Sequence, residues 1–255
     1  MDRISLQEER LMHRFYADPD RSDEQSFVLS PEDTLHAAKV LRMRPGDHAE
    51  VVFHETRFRS RIEILSEDSV RLVPVGILPS TEPSLSVTLF QGLPKSDKMD
   101  WIVQKAVELG AVRIVPVSFS RSVTRLNEKD SARKQQRWQK IAREAGKQSG
   151  RCRIPEVLFP VPFRTLPDLF RTCDCIAVPW EECSSGGPLS FYSRHPSLSS
   201  LGIVIGPEGG IAPEEMHEIM EWGGEAITLG KRILRTETAG LSALSVFLGL
   251  YGEME

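Results

Sequence analysis

The spacing of apolar residues changes near residue 78. Before that point, HAEVVF (48–53) and RFRSRIEI (57–64) read as short strands. The second sets Arg57, Arg59 and Arg61 against Phe58 and Ile62, the two-residue period of a half-buried strand. One helix interrupts them. Ser30 is its N-cap, Pro31 takes the first helical position and Asp33 lies three residues after the cap. Leu35, Ala38 and Leu41 form its expected buried stripe, and PGD (45–47) turns the chain. A small barrel is the natural closure for such strands.

The segment LPSTEPSLS (78–86) gathers prolines and serines as a linker does. Beyond it strands alternate with longer helices. LSVTLF (85–90), AVRIVPV (111–117), CIAVPW (175–180), GIVIG (202–206) and EAITLG (225–230) are strands. DKMDWIVQKAVELG (97–110) is a helix with Met99, Ile102, Val103 and Ala106 on one face and Gly110 as its stop. SARKQQRWQKIAREAGKQSG (131–150) is another, with Trp138, Ile141, Ala142 and Ala145 inward. SSGGPLSFYSRHPSLSS (184–200) reads as an exposed excursion. The chain therefore divides into a β-rich domain over residues 1–77 and an α/β domain over 78–255.

Composition narrows the class. With 40% apolar and 27% charged residues over 255 positions, the chain reads as an ordinary globular protein. No apolar run reaches the roughly 20 residues of a membrane span, and MDRISLQEERLMHRF (1–15) lacks a signal peptide's apolar centre. Cys152, Cys173, Cys175 and Cys183 lack metal spacing and read as free thiols of a reducing cytoplasm. The six histidines show no metal spacing either, and no Cys–His pair stands out. The net charge of −4 hides an asymmetry: between Arg121 and Arg153 stand eleven Lys or Arg against three acids. Arg121, Arg137, Lys140 and Arg151 belong to this run, which suits RNA or another polyanion. Arg57, Arg59 and Arg61 form a second, weaker patch. A merely solvated helix face is the structural alternative.

Two stretches carry candidate chemistry. IVIGPEGGIAPEE (203–215) joins a β-branched run to a glycine turn and a proline-led helix. It matches neither G-x-G-x-x-G nor a P-loop, and Glu208 would repel a phosphate. Gly206, Gly209 and Gly210 admit close backbone approach or positive φ. LGKRILRTETAGLSALSVFLGL (229–250) places Arg232, Arg235 and Glu237 between a strand and a last helix, from about Ala239 to Leu250, that holds no charge. Thr236 and Thr238 are candidate caps for that helix. An ordinary loop for the first stretch and a salt-bridge network for the second remain open. Both would lie at strand carboxyl ends, where open α/β sheets bind ligands.

GPEGG followed by LGKRILRTETA resembles the 16S rRNA (uracil-N3)-methyltransferases, the RsmE type of the SPOUT superfamily. QGLPKSDKMDWIVQKAVELG (91–110), SRSV (120–123), RWQKIAREAGKQSGR (137–151), HRFY (13–16) and HAAKVLRMRPGD (36–47) are similar to that family too. Ser96 stands where a glycine is common, Lys231 occupies a variable slot, and Phe119–Ser120 before Arg121 depart from the pattern.

The resemblance implies an N-terminal PUA-like β-barrel that binds RNA and a C-terminal SPOUT domain tied in a trefoil knot. Periodicity alone predicts no knot, because unknotted connections are the default. It also implies S-adenosylmethionine as cofactor, 16S rRNA of the small ribosomal subunit as partner, and a homodimer. Cofactor contacts carry over to Val178, Pro179, Gly206, Pro207, Glu208, Gly209, Leu229, Gly230, Ile233 and Leu234. A cofactor with a sulfonium and no phosphate suits a turn that holds Glu208. Methylation at N3 requires the ring proton to leave. Arg235 would stabilise the resulting charge, Glu237 would act as base or orienter, and Arg232 and Arg14 would hold the uridine or its phosphate. A SPOUT enzyme acting on tRNA and a non-enzymatic rRNA-binding protein are the competing functions. A nucleotide-dependent enzyme would want a turn without Glu208.

Overall fold

The computed structural model describes residues 12–66, 68–124 and 126–254. Residues 1–11, and Arg125 of the basic run, lie outside the described residues. The chain forms two compact units, Met1–Thr81 and Glu82–Glu255. Their boundary falls inside the Pro/Ser-rich segment, a few residues beyond the expected one at 77/78.

The first unit is a five-stranded mixed sheet with the order β1-β3-β4-β5-β2. The strands are β1 (Arg14–Tyr16), β2 (Phe27–Val28), β3 (His48–Phe53), β4 (Thr56–Leu65) and β5 (Val70–Leu78). An Ala17–Leu29 bridge joins the chain just after β1 to the chain just after β2, so the sheet curls into a barrel. Register shifts after Arg59 and Ile62 bend β4 to allow this. Phe15, Phe27, Val51, Ile62 and Leu72 fill the interior. Helix α1 (Pro31–Leu35) starts as expected, with the Ser30 hydroxyl accepting the Asp33 amide at 3.1 Å. It continues as a π turn over His36–Val40. Asp33, Thr34 and Ala37 share the buried face while Leu35 is 49% exposed, so the helix already presents a face other than the expected Leu35–Ala38–Leu41 stripe before the π turn begins.

The second unit is built on a wholly parallel sheet. Its strands are β6 (Ser86–Gly92), β7 (Arg113–Ser118), β8 (Glu156–Val157), β9 (Val161–Pro162), β10 (Cys175–Pro179), β11 (Ser200–Ile205) and β12 (Gly224–Ile227). They are ordered β12-β10-β11-β6-β7-β8, and β9 also pairs with β7. Helices α2 (Lys98–Leu109), α3 (Glu128–Ser149), α5 (Pro188–Arg194) and α7 (Thr236–Leu250) contribute to one core, where Leu89, Ile102, Trp138, Phe191 and Phe247 pack. Helices α4 (Leu166–Phe170) and α6 (Pro213–Glu221) contribute to another, around Phe90, Val115, Phe170 and Met216. Helices on both faces bury the sheet, which is why its central strands are mostly apolar.

Local signals explain the helix ends. Asn127 caps α3, its Oδ1 accepting the Asp130 amide at 2.8 Å, so the helix starts three residues before the expected Ser131. Gly110 and Gly150 end α2 and α3 in the left-handed region. The Ser/Gly/Pro-rich segment is only partly an excursion: α5 lies within it, and Phe191 is fully buried edge-on against Phe247.

Candidate active site

Because the sheet is parallel, the carboxyl ends of β6, β10, β11 and β12 share one edge. The loops that follow β10, β11 and β12 enclose a cavity of 420 Å³, with a smaller one of 130 Å³ beside it. Pro179, Glu181, Ile233, Leu234 and Ala239 line both. Their combined size falls in the range of small-molecule sites. A larger open groove of 740 Å³ runs between α2 and α3, lined by Lys105, Glu108, Arg137, Lys140 and Glu144. Long charged side chains wall it and no strand end opens into it.

The glycine turn is built for close approach. A Cβ on Gly92 would strike the backbone of Gly206 and Pro207, so β6 and the turn touch. Gly210 has a φ of 74°, and a Cβ there would strike the Glu181 carboxylate. Gly206 and Gly209 keep ordinary φ values, so their smallness serves packing against Ile211 and Arg121.

The start of α7 is pinned from behind. The Thr236 hydroxyl donates to the Gly206 carbonyl at 2.6 Å and accepts from Gln91 Nε2 at 2.8 Å. Thr236 is therefore a tie across the site and not the expected cap; Arg235 holds the N-cap position with no side-chain cap bond. Helix α7 begins at Thr236, earlier than Ala239, and so takes in Glu237.

The carboxylates have defined partners. Lys98 Nζ lies 3.1 Å from Glu208 and 3.1 Å from Glu237. Glu208 also accepts the Lys95 amide at 3.0 Å. Partial burial would push the Glu208 carboxyl up, but the amides of Lys95 and Glu208 itself, together with Lys98, draw it below the usual carboxylate range. The same two glutamates raise the Lys98 ammonium. Glu215, 7% exposed, accepts the Ser120 amide and hydroxyl, fixing the loop that carries Arg121. Arg121 in turn donates to the Gly209 carbonyl at 3.3 Å.

Placement of the expected residues is uneven. Pro179, Gly206, Pro207, Glu208, Leu229, Gly230, Arg232, Ile233, Leu234 and Arg235 line the two cavities. Val178 does not: it lies on β10 and is fully buried in the core. Gly209 lies against Arg121, and Glu237 against Lys98. Lys98, Glu181, Gln91 and Thr236 were not singled out for these roles. Glu181 directly follows the expected strand CIAVPW, whereas Lys98 and Gln91 depend on partners more than 100 residues away.

The RNA-facing set divides. Arg137 and Lys140 are exposed on α3, and Arg137 pairs with Asp100. Arg151 is a correction. It is 3% exposed, bonds Glu82 and donates to the Val107 and Ala111 carbonyls, so it is unavailable to a polyanion in this fold. Arg14 and Arg57 are also largely withdrawn, both held by buried Glu50 at 2.7 Å. Arg59 keeps a buried Nε without a hydrogen-bond partner.

A Cys–His contact missed in the sequence joins β10 to α5. Cys175 Sγ lies 3.4 Å from His195 Nδ1, and His195 Nε2 lies 2.6 Å from Glu225. Burial, then Glu225 and Asp174, push the thiol up, so it rests protonated. Among the described residues no helix is long and apolar enough to cross a membrane, and no His/Cys/Asp/Glu group could hold a metal ion.

The model of the RNA methyltransferase domain matches residues 81–248, and that of the RNA methyltransferase PUA domain matches 29–75. The ribosomal RNA small subunit methyltransferase E of Bacillus subtilis is 39% identical over 227 residues, covering 86% of this chain and 88% of that one. Its counterpart in Buchnera aphidicola of Schizaphis graminum is 30% identical, over 90% and 93% of the two chains. The crystal structure of a ribosomal RNA small subunit methyltransferase E from Neisseria gonorrhoeae bound to S-adenosyl methionine aligns with a TM-score of 0.79. It is 32% identical and covers 94% of this chain and 98% of that one.

Proposed function

The chain belongs to the RNA methyltransferase family, and we propose that it transfers the methyl group of S-adenosylmethionine to N3 of a uridine in the 16S rRNA of the small ribosomal subunit. The observation that carries this reading is the cavity at the strand carboxyl ends, walled by a glycine turn bearing Glu208 and by Arg235. The cofactor fits these residues. Gly206 and Gly210 line the cavity, and the carboxylates of Glu181 and Glu208 favour a sulfonium where a phosphate would be repelled. Leu229, Gly230, Ile233 and Leu234 close the cavity from the β12 side. The bound cofactor supplies an electrophilic methyl group.

Arg235 is exposed at the cavity wall, and among the described residues no carboxylate pairs with it. It is placed to stabilise negative charge on the uracil ring as the N3 proton leaves. Glu237, held by Lys98, suits the orienting role better than that of proton acceptor. Arg232, exposed beside the smaller cavity, holds the uridine or its phosphate. The exposed cations Arg133, Arg137, Lys140 and Arg143 on α3 draw in the RNA backbone. Two chains pair through the uncharged outer face of α7, where Val246 is 45% exposed. The enzyme works in the cytoplasm, where its ribosomal substrate resides.

Labelled S-adenosylmethionine offered with unmodified 16S rRNA, small subunits and tRNA tests this directly. Label at uracil N3 of 16S rRNA is the expected result. Label on tRNA, or on another atom of the rRNA, overturns the substrate assignment.

A further inference from the structure

Three distant segments meet on one ammonium. Lys98 stands at the start of α2, Glu208 in the turn after β11, and Glu237 in the first turn of α7. Each carboxylate lies 3.1 Å from the same nitrogen, so the two are no farther apart than twice that distance. Glu208 lines the cavity, and Glu237 stands in the helix turn whose Thr236 and Ala239 line it. Like charges held that close repel unless a cation stands between them.

The surroundings offer no substitute. Asp97 and Asp100 sit on the same helix end; Asp100 is engaged by Arg137 and by the Trp138 indole. Glu181 lines the same cavity and adds more negative charge. Lys95 reaches Glu208 through its backbone amide. Arg235 lines the cavity, but no hydrogen bond or ion pair joins it to either glutamate.

We propose that Lys98 is a positioning residue whose ammonium clamps the Glu208 turn to the Glu237 helix end and so sets the width of the cofactor cavity. The proposal rests on the reading that S-adenosylmethionine occupies that cavity. The clamp also explains how a site can keep Glu208 beside the cofactor while its own walls stay together.

Calorimetric titration of S-adenosylmethionine into the full chain tests it. Lys98→Gln weakens binding about tenfold or more, and Lys98→Arg, which keeps the cation, stays within about threefold of the parent. Adding Glu237→Gln to Lys98→Gln regains affinity, because one of the two repelling charges is gone. A residue that merely fills space would give additive losses in that double variant, and that result overturns the clamp, as does unchanged affinity in Lys98→Gln. Ala239→Trp, which fills the wall common to both cavities, separates the two failures. If it leaves binding intact, the cofactor's placement is wrong. If it abolishes binding while Lys98→Gln is neutral, the clamp alone falls. Thermal melts of every variant confirm that folded protein is compared.

Discussion

Arg151 and Arg235 look alike in sequence, each a positive charge near a glycine at the edge of an apolar stretch. Their environments are opposite. Arg151 is buried, holding Glu82 through Nε and Nη2 and two carbonyls at the end of α2 through Nη1. Arg235 is exposed at the cavity wall and pairs with no carboxylate among the described residues. The difference is where the acid lies. Glu82 stands 69 residues from Arg151 in sequence yet reaches it, and nearby Glu237 is taken up by Lys98 instead of Arg235. A guanidinium ends braced or exposed according to which carboxylate the fold brings within its reach.

Removing the brace gives the largest expected effect. Arg151→Ala takes from partly buried Glu82 its charged partner and from the Val107 and Ala111 carbonyls a donor, at a cost of about 3–5 kcal/mol. Urea denaturation of the full chain reads this directly. Although partial burial favours the neutral Glu82 carboxyl, Arg151 and the Arg153 and Cys152 amides draw it below its ordinary value of 4.5. Its contribution is therefore complete above that pH and is lost as pH falls toward the depressed value. The parent should lose stability on acidification through that window, and Arg151→Ala should lose less there.

The role proposed for Arg235 puts the effect of its removal on turnover. Arg235→Ala lowers kcat by about 10²-fold while the melting temperature and S-adenosylmethionine affinity stay near those of the parent. A fall in stability equal to that of Arg151→Ala would erase the contrast between the two arginines.

The exposed cations of α3 give the smallest effect. Arg137→Glu with Lys140→Glu weakens RNA binding about tenfold at low salt and flattens the salt dependence. Lys140→Glu alone should account for more of this, because Arg137 is already paired with Asp100. Filter binding across a salt series checks both, with cofactor affinity as the control that should not move.

What the sequence made legible follows the range of the interactions involved. Caps and stops act within four residues, so Ser30 and Gly110 were readable, and the inward face of α3 followed from its period. Leu35 was misplaced because the short helix turns Asp33, Thr34 and Ala37 to the core, a face chosen by its tertiary packing and not by its few apolar residues. In the site, the backbone loops were legible because glycine and proline advertise them. The charge pairing was not, because Lys98 meets Glu237 across 139 residues and Arg151 meets Glu82 across 69. Charge runs in a sequence locate cations but say nothing of the acids that will neutralise them.

The tie between Gln91 and Thr236 has a bearing on how the chain is made. Its two ends are 145 residues apart, with β6 paired to β11 between them. A chain growing from the ribosome therefore exposes Gln91 long before its partner exists, and the central strand of the sheet must wait for the final helix. Contacts of such sequence separation slow folding. The last fifteen-residue helix thus completes the fold late, and synthesis itself orders the assembly: walls first, and the helix that closes them at the end.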